Sequence, residues 1–314
     1  MRQAKNKVYI EGILSENNLK EGSYTKNGAT METIHGDIKI LVKNTINGVP
    51  IDNEIPVYVF ANKFKNNGEP NPAYESLARV MTEYQSIAST GSVDTADCIR
   101  ITSGDIRMNE YFDQTGRFIS FPRINTSFIS RITKRDEMKP KAEFDVEFVV
   151  AEQGYEVDAN GENVKDQFGN DKYYVKGIIV GYNDTLNICK FYCANKSVMD
   201  AVHDFWTEGD TVTAHGRLNF TSTTIKEKVE QGFGEPIENS RTISISDLVI
   251  TGGNPTPLDE TLAYDAADIQ TALTARKARL EAEREKAKNK PATKQAPAPM
   301  NNTGAARRAM DLGF

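Results

Sequence analysis

With 314 residues, 39% hydrophobic and 26% charged, the chain is long enough for two domains of ordinary size, each with its own core. No run of about 18 apolar residues occurs, which excludes a membrane-spanning helix, and Met1–Lys7 lacks the apolar centre of a signal peptide, so a cytoplasmic protein is expected. Three cysteines exclude a disulfide framework, and a net charge of −6 argues against indiscriminate binding to duplex nucleic acid.

The charge is unevenly spread. From Ala263 onward there are ten Lys/Arg and six Asp/Glu, which leaves 28 positives against 38 negatives on the rest. A polyanion would therefore need a local basic groove.

Alternation predicts strands at Lys7–Leu14, Thr33–Val42 and Glu54–Asn62. In the second, Ile34, Ile38, Ile40 and Val42 oppose His35, Asp37, Lys39 and Leu41; in the third, Ile55, Val57 and Val59 oppose Pro56, Tyr58 and Phe60. Asn71-Pro72 starts a helix whose apolar spacing runs through Tyr74, Leu77, Ala78, Met81, Tyr84 and Ile87 to Gly91. Two strands follow, Cys98–Phe112 and Phe118–Thr133, around the turn Asp113-Gln114-Thr115-Gly116.

The connector Lys134–Lys141 has no periodicity and contains Pro140, so it marks a domain boundary. The same order then repeats: Glu143–Ala151, Lys172–Tyr182, Leu186–Ala194, a helix at Ser197–Phe205, Asp210–Phe220 and Arg241–Thr251. Asp158–Asp171 reads as a polar hairpin tip and Lys226–Ser240 as a long loop. After Asn254-Pro255-Thr256-Pro257 a helix is expected from Leu258 to about Lys290. Its thin stripe of Leu262, Ile269, Leu273 and Leu280 predicts partial docking or none, and its basic run Arg276–Lys290 reads as a solvated face. Residues 291–314, rich in Pro, Ala, Asn and Thr, are expected to be disordered.

One strand grammar thus occurs twice, at Ile99–Ile132 and at Gly209–Gly253. Five strands with a helix before the fourth is the order of the OB-fold. The expected fold is mainly β, with two tandem five-stranded OB barrels at 5–133 and 142–253, a linker at 134–141, a helix at 254–290 and a tail at 291–314. Gly12, Gly36, Gly104, Gly177 and Gly216 are expected to permit the bends of such small barrels.

Glu208-Gly209-Asp210-Thr211-Val212-Thr213-Ala214-His215-Gly216-Arg217-Leu218 resembles the polar-Gly-Asp-x-Val-x-x-x-Gly-Arg-Leu stretch of bacterial and phage single-stranded DNA-binding proteins. Ile99–Arg107 is a looser counterpart, the hairpin Met108–Ile119 is similar to that family's aromatic-bearing hairpin, and Val8–Leu14 to its opening strand. The resemblance implies a non-enzymatic protein that coats single-stranded DNA during replication or recombination, in a phage or other mobile element. It departs from the family in two ways. The family usually carries one barrel per chain and assembles four, and its acidic tail is here reduced to Asp311 before the terminal Phe314. Asp311 and Phe314 remain a candidate docking tip for replication proteins, and a homo-oligomer is a further expectation.

Single strands need flat side chains for bases and cations for phosphates. On the third strand Tyr58 and Phe60 lie where solvent alone would select polar residues. With Tyr111 and Phe112 they are the stacking candidates, and Lys39, Lys43, Arg100, Arg107 and Arg117 the phosphate candidates. In the second domain the candidates are Tyr174, Lys176, Lys190, Tyr192 and Arg217. The competing reading for each aromatic is simply core.

No cofactor or metal is implied: Cys189 and Cys193 share a strand face without a second zinc-spaced pair and read as buried thiols. His203 and His215 lack a catalytic neighbourhood, Gln231-Gly232-Phe233-Gly234 is a loop without phosphate-cradle context, and Trp206 reads as packing between helix and barrel. Two rival readings remain, a structural or assembly protein that uses its barrels on other proteins, and a nuclease built on Asp145 and Glu147.

Overall fold

β1 (Asn6–Asn17) is the strand about which the N-terminal half is wound. The computed structural model of the chain describes residues 1–46, 48–113, 115–229 and 237–288. After β1 come β2 (Lys20–Lys26), β3 (Ala29–Ile46), β4 (Val49–Asn62), α1 (Pro72–Glu83), α2 (Ile87–Thr90), β5 (Cys98–Phe112), β6 (Phe118–Thr126) and β7 (Ser130–Ile132). The C-terminal half holds β8 (Lys141–Tyr155), β9 (Tyr173–Val180), β10 (Leu186–Cys193), α3 (Lys196–Phe205), β11 (Thr211–Val229), β12 (Ile237–Gly253) and α4 (Ala266–Lys288). The protein is mainly β.

Pairing follows the same circuit in both halves. β1 pairs with β3, β3 with β4, β4 in parallel with β6, β6 with β5, and β5 again with β1. β8 pairs with β9, β9 with β10, β10 in parallel with β12, β12 with β11, and β11 again with β8. The alternation seen in sequence is the reason: Ile34, Ile38, Ile40, Val42, Ile55, Val57 and Val59 are all 0% exposed, while the alternate residues His35, Asp37, Lys39, Pro56, Tyr58 and Phe60 face outward.

The halves are joined by an antiparallel ladder of β1 on β8, from Asn6 opposite Val146 to Glu11 opposite Lys141. One apolar cluster runs from Val8 and Ile10 through Phe144 and Phe148 to Phe191 and Leu248. Further bonds cross between halves: Phe220 N–H donates to Asn53 Oδ1 at 3.1 Å, Met108 N–H to Asn187 Oδ1 at 3.1 Å, and Ala4 N–H to Val180 O at 2.8 Å.

Several elements differ from the sequence-based expectation. β2 is an additional strand: Lys20–Lys26 is exposed along nearly its whole length, pairs only with β3, and so shows no alternation. The single helix expected up to Gly91 is broken, because Tyr84 is extended and the Ser86 side chain caps a new short turn, α2, in a reciprocal capping box with Ser89. Phe118–Thr133 is interrupted between β6 and β7, where the Thr126 hydroxyl bonds the Phe128 backbone. Asp158–Asp171 forms two successive tight turns, in which Asp158 and Asp166 accept backbone N–H bonds from Asn160 and Glu162 and from Phe168 and Asn170. Most of the loop expected at Lys226–Ser240 is strand, paired from Lys226 opposite Ser240 to Val229 opposite Ile237; residues 230–236, with Gln231–Gly234, lie outside the described residues.

α4 docks partially, the first of the two outcomes expected of its thin stripe, but Arg276 departs from the solvated face expected of it. Ile269, Ala272 and Leu280 are buried together with Arg276, whose guanidinium meets Glu110 of β5 in an ion pair that is itself buried. Leu262, expected on the helical stripe, precedes the helix and is exposed. Trp206 is buried edge-on against Phe148 and donates Nε1–H to Asn254 O at 2.9 Å.

Candidate nucleic-acid interface

The outward face of the N-terminal half can be followed strand by strand through its register. Tyr58 lies opposite Asn125 across β4–β6, and Arg107 opposite Arg123, Asn109 opposite Phe121 and Tyr111 opposite Ile119 across β5–β6. The inward partners Val57, Ile106 and Ile124 are core. Phe60 is 40% exposed and its ring centroid is 6.5 Å from that of Tyr24 on β2. The Arg123 guanidinium sits over the Tyr58 ring at 4.0 Å, and its Nε has no hydrogen-bond partner. Tyr58, Phe60, Arg107, Arg123, Asn125 and Thr126 line an open cleft with Ser103, Asp105 and Ser127.

Not every predicted residue joins this face. Tyr58, Phe60, Arg107 and Tyr111 do, with Arg107 62% exposed although paired to Asp105 at 2.7 Å. Phe112 does not: it lies on the opposite side from Tyr111, its ring 5.2 Å from Phe118. Arg100 is engaged with the buried Glu11 at 2.8 Å, a structural ion pair beside the β1–β5 ladder. Lys39 is held by Glu16 at 2.7 Å and Glu54 at 3.7 Å. Lys43 is exposed on the distal part of β3, opposite Asp52, away from the cleft. Arg117 is exposed at the β5–β6 turn, where its N–H and that of Thr115 bond Asp113; with the Thr115 hydroxyl they hold that carboxyl below its ordinary range.

The C-terminal half gathers its candidates, but in a different electrostatic state. Lys190 Nζ lies over the Tyr174 ring at 4.3 Å and Lys172 Nζ over the Tyr192 ring at 3.8 Å. Each lysine also has a carboxylate: Lys190 with Glu156 and Lys172 with Asp247, both at 2.7 Å, and Lys176 with Glu152 at 3.3 Å. Tyr174 donates its hydroxyl to Glu152. Burial raises the Asp247 carboxyl, against the pull of Lys172. Arg217 is partly buried, its Nε lacks a hydrogen bond, and desolvation lowers its guanidinium below the ordinary value.

Sequence reasoning missed Tyr24, Phe121 and Arg123. Alternation along Phe118–Thr126 carried the signal for the last two, since Ile124 is buried and Arg123 is its outward neighbour. Asp145 and Glu147, the carboxylates of the nuclease reading, are neutralised by Lys5 at 2.5 Å and Arg2 at 2.7 Å. Burial pushes the Cys189 and Cys193 thiols up to about 12. Among the described residues no group of three or more His, Cys, Asp or Glu is placed to hold a metal, and no helix is long and apolar enough to cross a membrane. Asp311 and Phe314 lie outside the described residues.

The profile of the family described as YorF matches residues 5–286, which include both halves and nearly all of α4. No curated protein matches. Among solved structures, the wild-type single-stranded DNA binding protein from Thermus aquaticus aligns with 85% of this chain and 99% of its own, at 9% identity and a TM-score of 0.47. A deletion mutant of the same protein aligns with 83% and 98%, at 10% identity and a TM-score of 0.48.

Proposed function

The chain belongs to the YorF family, and we propose that it is a single-stranded DNA-binding protein that coats exposed strands without strong sequence preference during DNA replication or recombination, in a phage or other mobile element. Its work is binding, with no catalytic step. The two pairing circuits support reading each half as a five-stranded OB barrel with a helix between its third and fourth strands, one tandem copy of the other.

The observation that carries the proposal is the outward face of β4, β5 and β6. Tyr58, Phe60, Phe121 and Tyr111 stand there beside Arg107 and Arg123. A face selected only for hydration would carry neither the aromatics nor an arginine poised over a ring. Stacking contributes about 1–3 kcal/mol per base and tolerates any base, whereas each neutralised phosphate makes affinity fall with salt. The proposed binding residues are therefore Tyr58, Phe60, Tyr111, Phe121, Arg107 and Arg123, with Tyr24 extending the path along β2.

The test is a fluorescence titration of the full chain with labelled dT oligomers at several salt concentrations. Saturable binding that weakens as salt rises is expected. Absence of binding at low salt would overturn the reading.

A further inference from the structure

The two circuits allow the halves to be compared position by position. Tyr58 lies opposite Asn125 across the parallel β4–β6 pair, and Tyr192 opposite Val249 across the parallel β10–β12 pair. Two residues earlier, Arg123 corresponds to Asp247; its partner Arg107 corresponds to Asn219, the partner of Asp247. The cationic positions of the first face are thus an acid and an amide on the second.

The cations that the second face does have are already occupied. Lys190 and Glu156 are 2.7 Å apart with side chains only 19% and 18% exposed, and Glu156 also accepts from the Tyr192 hydroxyl at 3.4 Å. Glu152 takes both Lys176 and the Tyr174 hydroxyl. The overall balance agrees: residues 1–141 hold 19 Lys/Arg against 17 Asp/Glu, or +2, whereas residues 142–253 hold 9 against 19, or −10.

We infer that Glu152 and Glu156 limit the length of strand each chain covers, because their carboxylates hold Lys176 and Lys190, the cations that would otherwise meet phosphates, and keep Lys190 over the Tyr174 ring on which a base would stack. This rests on the single-strand-binding reading. A carboxylate of the same chain, held against a lysine that is only 25% (Lys176) or 19% (Lys190) exposed, outcompetes a dilute phosphate through its high effective concentration, whereas Arg107, though paired to Asp105, keeps 62% of its side chain in solvent. The surplus negative charge around the two glutamates repels the strand as well. DNA therefore lies on the first face and stops short of the second.

The experiment uses the full chain with dT oligomers of increasing length, read for occluded length and for the slope of log affinity against log salt. Glu152→Gln with Glu156→Gln releases two lysines. The slope should steepen by about 1.4, at roughly 0.7 per phosphate on a single strand, and the occluded length should grow. Glu152→Gln alone, at a half-exposed carboxylate, should steepen it by about 0.7 and guards against a double variant that does not fold. If wild type binds and the folded variants keep its slope and length, the inference is overturned while the reading stands. It is equally overturned if Arg107→Ala with Arg123→Ala leaves wild-type affinity intact, since the second face would then already bind. Failure of the wild type to bind overturns the reading itself, and the inference with it.

Discussion

Val8 and Phe144 face each other across the β1–β8 ladder, and each has a glycine on its other flank, Gly104 for Val8 and Gly216 for Phe144. The two strands therefore meet at equivalent positions of the two halves, so the ladder relates them by an approximate two-fold. Both glycines stand at a register shift of their ladders, where the sequence places a bend, and both also answer a need for close approach. A Cβ at Gly216 would lie 2.1 Å from Val249 O and 2.5 Å from Phe144 Cζ; one at Gly104 would lie 3.2 Å from Val8 Cβ.

The difference between these glycines is measurable. Gly216→Ala forces backbone and a packed ring apart and should destabilise by about 3 kcal/mol or more. Gly104→Ala needs a shift of only a few tenths of an ångström, partly offset by the lower entropy of its unfolded chain, and should cost about 1 kcal/mol or less. Urea midpoints at constant m-value give both numbers. Equal costs would show that the ladder is not as tightly packed at Gly216 as the geometry states.

Arg276 and Glu110 form the buried link between α4 and β5. Removing one partner of a buried pair leaves the other charge uncompensated, at a cost of about 3–5 kcal/mol, whereas apolar replacement of both is often neutral. Arg276→Ala should thus release α4, seen as faster amide exchange over Ala266–Lys288. Arg276→Leu with Glu110→Leu should restore protection. If Arg276→Ala exchanges like wild type, the helix is held by Ile269, Ala272 and Leu280 alone.

This pair also shows what sequence could and could not reveal. Alternation over Glu54–Asn62 placed Ile55, Val57 and Val59 inside and Tyr58 and Phe60 outside, because sheet period is a local property. Arg276 read as part of a solvated helical face because its partner stands 166 residues away. Arg100 read as a phosphate contact for the same reason, its Glu11 being 89 residues distant, and the Lys172–Asp247 pair spans 75. β2 was invisible because an exposed edge strand has no buried face to impose alternation. Local pattern reports which side of a strand is wet; it does not report which charges the fold brings together.

Glu11 gives a pH test. Burial alone would raise its carboxyl, but hydrogen bonds from Arg100 and from Lys139 N–H outweigh burial and hold it below the ordinary value. A carboxyl depressed in the folded state adds stability above its unfolded value of about 4.3 and loses it as pH falls through the folded value. Melting temperature of wild type should therefore exceed that of Glu11→Gln at neutral pH, and the gap should close below about pH 4. A gap that persists undiminished well below that pH would place the stabilisation elsewhere.

Stacking and charge on the proposed binding face can be separated by salt. Tyr58→Ala and Phe60→Ala each remove a ring without changing charge, so each should weaken dT binding by about 1–3 kcal/mol while leaving the salt slope as it is. Arg123→Ala removes a cation poised over the Tyr58 ring at 4.0 Å, and it should flatten the slope by about 0.7 as well as weaken binding. Lys39→Ala is the internal control: its ammonium is held by Glu16 and Glu54, and the variant should leave both slope and affinity near wild type. An aromatic variant that changes the slope would show that the rings also hold phosphate contacts in place, and Lys39→Ala matching Arg123→Ala would show that the strand runs over β3 instead of over β4–β6. The contrast holds because a ring contributes through contact that salt does not screen, whereas a cation contributes through the counterions it releases from the strand.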